Sequence, residues 1–257
     1  MFELLCKELQ KLPQVEAMAL GGSRAGAHFD AKSDYDLYVY VTAPVPEETR
    51  RPILEKCCSY MEIGTHFWEY EDNATLKDGI DIDILWRDLD DFTAGVASVV
   101  EGCTPSNCYT TCMWHNLRTC KILYDRDGRF STAKARFDVP YPEALRQNII
   151  DRSLKLLRGT MPAFDGQIAK AVRRGDRVSI NHRVTEFLAS YFDILFALNR
   201  QTHPGEKRLI QLCKQSCPIL PKNFEENLNT LFDHMGTDIE AVPNDIATIV
   251  AELEKVL

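Results

Sequence analysis

Asp34 and Asp36 stand two residues apart at the head of YDLYVYV, a run whose aromatic and β-branched content predicts a strand over Tyr35–Val41. Strand alternation puts both carboxylates on one face. So placed they repel each other, and a cation relieves them. Mg²⁺ suits such a pair, because it takes a few carboxylates, keeps waters and binds substrate phosphate oxygens. Just ahead lies Gly21-Gly22-Ser23-Arg24-Ala25-Gly26. A glycine pair at the end of a strand over Val15–Leu20 lets backbone N–H groups approach an anion, and Ser23 adds a hydroxyl donor. Arg24 is a phosphate contact if it turns inward and a surface charge otherwise. Ser33 can donate to phosphate or cap the turn, and His28 flanks the same stretch. A donor loop beside a metal-binding pair makes a site for a metal-bound triphosphate.

A third carboxylate would complete the set, and residues 80–86 (IDIDILW) supply one. This run reads as a strand with Asp81 and Asp83 on one face and its isoleucines turned to the core. Aspartate is disfavoured in strands, so two on one face call for a reason. A solvated face is one reason; a metal site beside the first pair is the one the wider pattern supports. Asp125 and Asp127 form a similar pair, but YDRDG reads as a turn.

In order, GGSRAG, SDYDLYV, DIDILWRDLD, ILYDRDGRF and FALNRQTHPGEK resemble the DNA polymerase beta superfamily of nucleotidyltransferases. Its pattern is Gly-Ser, a spacer, Asp-x-Asp, then a carboxylate on a later strand. The resemblance is closest to bacterial proteins related to aminoglycoside nucleotidyltransferases, in which a helical domain follows the catalytic one. It implies an enzyme that moves a nucleoside monophosphate, AMP favoured, from an NTP to a hydroxyl of a small-molecule, aminoglycoside-like acceptor. Asp34, Asp36 and Asp83 would be catalytic and would hold two Mg²⁺ ions, or Mn²⁺. Gly22, Ser23, Arg24, Ser33 and Lys207 would meet the nucleotide, Lys207 from a turn after a long helix. Matching Trp86-Arg87-Asp88 to the family's strand ending selects Asp83, whereas a looser match to the aminoglycoside enzymes selects Asp81. A protein or RNA acceptor, as in toxin–antitoxin members, and a non-catalytic nucleotide-binding module are the alternatives.

These residues need a scaffold, and the pattern supplies an α+β one. Helical spacing over 46–60, strands over 65–70 and 80–86, and an extended piece over 121–124 fit a small mixed-sheet nucleotidyltransferase domain at 1–140. After Pro140 and Pro142 the periodicity turns helical. Stripes led by Leu145, Val184 and Ile246 fit an α-helical C-terminal bundle at 141–257, with Gly159 ending the first helix and Asn244 capping the last. A net charge of −8 over 257 residues excludes a broadly basic nucleic-acid surface and suits a cationic small substrate. No apolar run reaches membrane-span length, and the N-terminal segment lacks the features of a signal peptide. Nine scattered cysteines argue against a disulfide framework, and a cytoplasmic protein is expected. Cys103, Cys108, Cys112 and Cys120 with His115 could bind zinc, but their spacing fits free thiols better.

Overall fold

A computed structural model describes the protein over residues 1–26 and 33–257. It forms two compact units: Met1–Ala97 with Asn116–Val139, and Ser98–His115 with Pro140–Leu257. The stretch 98–115 therefore belongs to the second unit although it precedes residue 140.

The first unit contains α1 (Phe2–Leu9), β1 (Val15–Leu20), the single turn α2 (Gly22–Ala25), β2 (Tyr35–Val41) and α3 (Glu47–Cys57). It continues through β3 (Cys58–Thr65), β4 (Glu71–Leu76) and β5 (Asp81–Asp88) into α4 (Leu89–Val100). After α5 (Cys112–Thr119) come β6 (Lys121–Asp125) and α6 (Arg129–Arg136). Both α4 and α5 run across a unit boundary. The strands form a six-stranded sheet in the order β3-β4-β5-β2-β1-β6. It is mixed: β2 and β5 pair in parallel and the other neighbours antiparallel.

One face of this sheet is core. Met18, Leu37, Val39, Ile82, Ile84 and Trp86 pack there with Leu5 and Leu9 of α1 and Leu54 of α3. The burial of these aliphatic side chains is the main favourable term for the unit. Inside the same layer lies a buried ion pair between Arg50 and Asp72. The N–H of Gly64 and the indole of Trp86 each donate to Asp72 at 2.9 Å, and Arg50 also donates to the Tyr70 hydroxyl. Burial pushes the Asp72 carboxyl up, while Arg50 and these donors pull it back.

That ion pair explains where the sequence expectation fails. Residues 65–70 (THFWEY) look like a strand, yet only Thr65 is in one, as the end of β3; 66–70 connect β3 to β4, and Phe67 and Trp68 are 85% and 90% exposed. The polar EDNATL forms the strand instead, because Asp72, Ala74 and Leu76 alternate into the core and Arg50 neutralises the one charge. Pairing and burial override propensity here. The helix expected over 46–60 ends at Cys57, where the chain passes directly into β3. Asn244 does not cap the last helix, which begins at Val242 with Pro243 in its first turn, a favoured place for proline.

The second unit is helical: α7 (Glu143–Leu157), α8 (Phe164–Arg173), the long α9 (Arg177–Leu198), α10 (Leu209–Ser216), α11 (Phe224–Thr237) and α12 (Val242–Glu254). Leu145, Ile149, Phe187, Ile194 and Leu195 are among its buried side chains. The stretch 98–115 is tied to it by polar bonds. Asp193 accepts from the Thr110 N–H at 3.1 Å and from its hydroxyl at 2.7 Å. The His203 N–H donates to Thr111 Oγ1 at 2.8 Å, and His115 bonds Thr202 at 2.7 Å. Among the described residues, no helix is long and apolar enough to cross a membrane.

Two buried groups in this network titrate in opposite senses. Burial pushes Asp193 up to about 6 against the pull of Thr110. Burial and His115 push His203 down to about 3. The raised carboxylate loses stability as pH rises through about 4 to 6, and the depressed imidazole loses it as pH falls through about 6.5 to 3. In the overlap the slopes oppose, so Asp193→Asn exposes the histidine slope. Urea unfolding between pH 6 and pH 4 should show the variant losing up to about 3 kcal/mol more than the parent protein over that window. Parallel pH profiles would contradict the assignment.

Candidate active site

The parallel pairing of β2 with β5 determines the geometry. Its register sets Tyr35 against Ile82, Asp36 against Asp83 and Leu37 against Ile84. Leu37, Ile82 and Ile84 face the core, so Asp36 and Asp83 share the opposite face on neighbouring strands, about 5 Å apart in the backbone. Asp34 lies two residues before Asp36, just ahead of the strand. Asp81 begins β5, one residue ahead of the Tyr35–Ile82 pair. Asp83 is half-buried and Asp81 exposed.

The neighbouring β4 fixes both β5 carboxylates. Asn73 stands opposite Asp83 and donates to its Oδ1 at 2.8 Å; Thr75 stands opposite Asp81 and donates at 2.7 Å. Glu71 lies on the same face of β4 and its carboxyl is pushed up, by burial first and then by the Asp83 charge, against a bond from Asn73. Asn73 and Glu71 were not apparent from the sequence. Their signal was the alternation of EDNATL, which is hidden when 65–70 is taken as the strand.

The glycine pair closes against this face. Gly21 N–H donates to Asp36 C=O at 2.8 Å. Gly22 has φ +58, and a Cβ there would lie 1.7 Å from Asp36 Oδ2. A Cβ on Gly21 would fall 2.3 Å from the Tyr38 ring. Only glycine lets the turn and the carboxylate come so close. Ser23 is exposed in the following turn, α2.

Arg24 is not a surface charge. It is 9% exposed, and its Nε donates to the carbonyls of Ser33 at 2.6 Å and Asp34 at 3.1 Å. Its guanidinium lies 4.0 Å over the Tyr35 ring, which itself stacks on Phe2 of α1 at 4.1 Å. With its Nε on the carbonyls of Ser33 and Asp34, the side chain holds the backbone from which Asp34 projects. Ser33 contributes its carbonyl to that bond. His28 lies outside the described residues. Lys207 belongs to the second unit, exposed between Gly205 (φ +104) and Arg208 (φ +58).

Farther along the same sheet face the chemistry changes. Arg87 is buried between the rings of Tyr38, at 4.3 Å, and Phe92, at 5.3 Å, with two 2.7 Å bonds to Glu69. Tyr40 packs against Phe92 and Phe130. One end of the face is thus plugged by aromatic packing and the other presents carboxylates. Among the described residues, no three His, Cys, Asp or Glu side chains gather closely enough to hold a metal ion by themselves. The donors at Asp34, Asp36 and Asp83 are all hard carboxylate oxygens, which suit Mg²⁺ or Mn²⁺ completed by water and phosphate oxygens. Asp125 accepts from the N–H groups of Phe130 and Ser131, so it satisfies two open donors in the first turn of α6. Cys103, Cys108 and Cys112 are free thiols in the second unit, and Cys120, also free, is in the first.

A family profile described as "Domain of unknown function (DUF4037)" matches residues 109–209. No curated protein matches the chain. It is similar in structure to a nucleotidyltransferase-like protein from Exiguobacterium sibiricum, with 11% identity over 97% of this chain and 71% of that one and a TM-score of 0.44. An aminoglycoside 6-adenyltransferase from Bacillus subtilis matches with 9% identity over 98% of this chain and 89% of that one, TM-score 0.29. The Thermotoga maritima CCA-adding enzyme complexed with tRNA matches with 12% identity over 99% and 79%, TM-score 0.29.

The close approach at Gly22 has a built-in control. Gly128 also has positive φ, +72, but open space around its Cβ position. Gly22→Ala and Gly128→Ala should both lower the thermal midpoint through backbone strain, worth about 1 kcal/mol. Only Gly22→Ala should also weaken Mn²⁺ binding, by about tenfold or more, because its methyl displaces the Asp36 carboxylate. Equal Mn²⁺ affinities in the two variants would show that the contact serves packing alone.

Proposed function

We propose that this protein is a metal-dependent nucleotidyltransferase of the DNA polymerase beta superfamily, with the sheet unit catalytic and the helical unit selecting the acceptor. The observation that carries this reading is the register of β2 on β5, which sets Asp36 against Asp83 beside a glycine turn that closes on Asp36. The ordered motif set, Gly-Ser, Asp-x-Asp and a later strand aspartate, supports it independently. Nine free thiols fit a reducing, cytoplasmic setting.

In the proposed reaction the hydroxyl oxygen of an acceptor attacks the α-phosphorus of an NTP, ATP favoured, in line with the departing pyrophosphate. The new O–P bond forms as the bond to the bridging oxygen breaks, and pyrophosphate leaves with that electron pair. Mg²⁺ or Mn²⁺, when bound, neutralises charge developing on the phosphate oxygens. Asp34 and Asp36 would hold the metal that accompanies the triphosphate, and the Gly21-Gly22-Ser23 turn would supply donors to the phosphate oxygens. Asp83, oriented by Asn73, would take the hydroxyl proton and would help to hold a metal ion. Asp81 is the weaker choice because it is exposed and lies outside the residues paired between β2 and β5. Arg24 keeps Asp34 in place through the backbone, and Lys207 is assigned to the nucleotide on the family resemblance alone. The acceptor class favoured is a small cationic molecule, in keeping with the net charge of −8.

Pyrophosphate release from ATP, Mg²⁺ and a panel of hydroxylated amines tests the reading. Asp36→Asn and Asp83→Asn should each cut turnover by about 10³-fold or more, while Asp81→Asn should stay within about tenfold of the parent. Full activity in Asp36→Asn would sink the mechanism. A greater loss in Asp81→Asn than in Asp83→Asn would transfer the third role to Asp81. Labelling of a protein or RNA band by labelled ATP in lysate would instead favour a macromolecular acceptor.

A further inference from the structure

A second site lies entirely within the helical unit. A half-open cavity of about 310 Å³ is walled by Tyr109, Leu188, Phe192, Leu209 and Phe232, with Glu206 at its edge. That volume matches about ten waters, room for a molecule of about a dozen non-hydrogen atoms. Phe192 is almost fully buried, whereas Phe232 keeps 46% of its surface in solvent, an apolar ring left uncovered beside the space.

The cavity is built from strained and braced backbone. Tyr109 has φ +52 and Arg208, immediately before Leu209, has φ +58. Left-handed backbone is uncommon at residues other than glycine and gathers at ligand sites. Both segments are held in place by one polar network. Thr110, next to Tyr109, is clamped by Asp193, and His203 binds Thr111 through its N–H and accepts from Gly205 N–H at 3.2 Å. The Tyr109 ring stands edge to face with His203 at 4.9 Å. A braced frame that leaves the Phe232 ring uncovered beside an open space is a preformed pocket rather than a packing fault.

Charge selects what enters. Glu206 is the charged side chain among the described lining residues, it is exposed, and it makes no ion pair among the described residues. Burial pushes the Tyr109 phenol up, and the nearby Glu206 and Glu186 carboxylates add to the push, so this aromatic wall faces negative charge. An aromatic ring face attracts a cation, and an unpaired carboxylate beside it adds a partner. We propose that this cavity binds a small organic monocation with an apolar body, an arylalkyl ammonium being the fitting class, with the ammonium at Glu206 and the body against Tyr109, Phe192 and Phe232. None of the residues assigned to the nucleotide lines this cavity.

Isothermal titration of the full chain with phenethylammonium, 2-phenylethanol and 3-phenylpropionate tests it, since the three share a body and differ in charge. The expected order is ammonium, then alcohol, then carboxylate, with about five- to tenfold between the first two. Glu206→Gln, at an exposed position, should erase the preference for ammonium over alcohol while leaving the alcohol bound. Leu188→Trp, which fills the cavity, should abolish binding of both. No binding of any of the three at millimolar concentration, equal binding of the carboxylate, or an unchanged preference in Glu206→Gln would overturn the proposal.

Discussion

The parallel register between β2 and β5 is the constraint on which the first unit depends. Parallel neighbours carry residues of the same alternation phase on the same face, so one register decides two things together. It sends Leu37, Val39, Ile82 and Ile84 into the core and sets Asp36 against Asp83 on the opposite face. A slip of one residue would bury a carboxylate and expose an isoleucine. The hydrophobic core therefore enforces the spacing of the charged pair, and the pair's mutual repulsion is offset by aliphatic burial a few ångströms away.

The rest of the unit serves that pair from either side. On β4, Asn73 orients Asp83, while the adjacent Asp72 goes the other way and is neutralised by Arg50. On β1, the chain leaves the sheet through Gly21 and Gly22, where the missing side chains leave room for Tyr38 and the Asp36 carboxylate. Arg24 then reaches across to the backbone at Ser33 and Asp34 while stacking on Tyr35. Through these contacts it positions the backbone that carries Asp34.

How much of this could be read from the sequence followed from which interactions were local. The strands bearing Asp36 and Asp83 were legible because their apolar alternation is strict and short-range. The glycine turn was legible because two glycines in a row at a strand end have few other uses. The edge of the sheet was not: THFWEY carries every propensity of a strand, and EDNATL becomes one only through a partner twenty-two residues away, Arg50, that no local pattern points to. Arg24 was ambiguous for the same reason, since its partners are backbone carbonyls and a ring rather than a charge. The long helical stripes at Leu145, Val184 and Ile246 appeared in place. The incorporation of 98–115 into the helical unit did not, because it rests on Asp193, His203 and His115, single polar residues in otherwise unremarkable stretches.

The most direct test of the account is a crystal structure of the protein with Mn²⁺ and a non-hydrolysable ATP analogue, using the anomalous signal to locate the metal. The account predicts a Mn²⁺ peak ligated by Asp36 with Asp34 or Asp83, and triphosphate oxygens within hydrogen-bond reach of the Gly21-Gly22-Ser23 turn. A nucleotide bound elsewhere, or a metal held by Asp81 with Asp36 and Asp83 left aside, would contradict it.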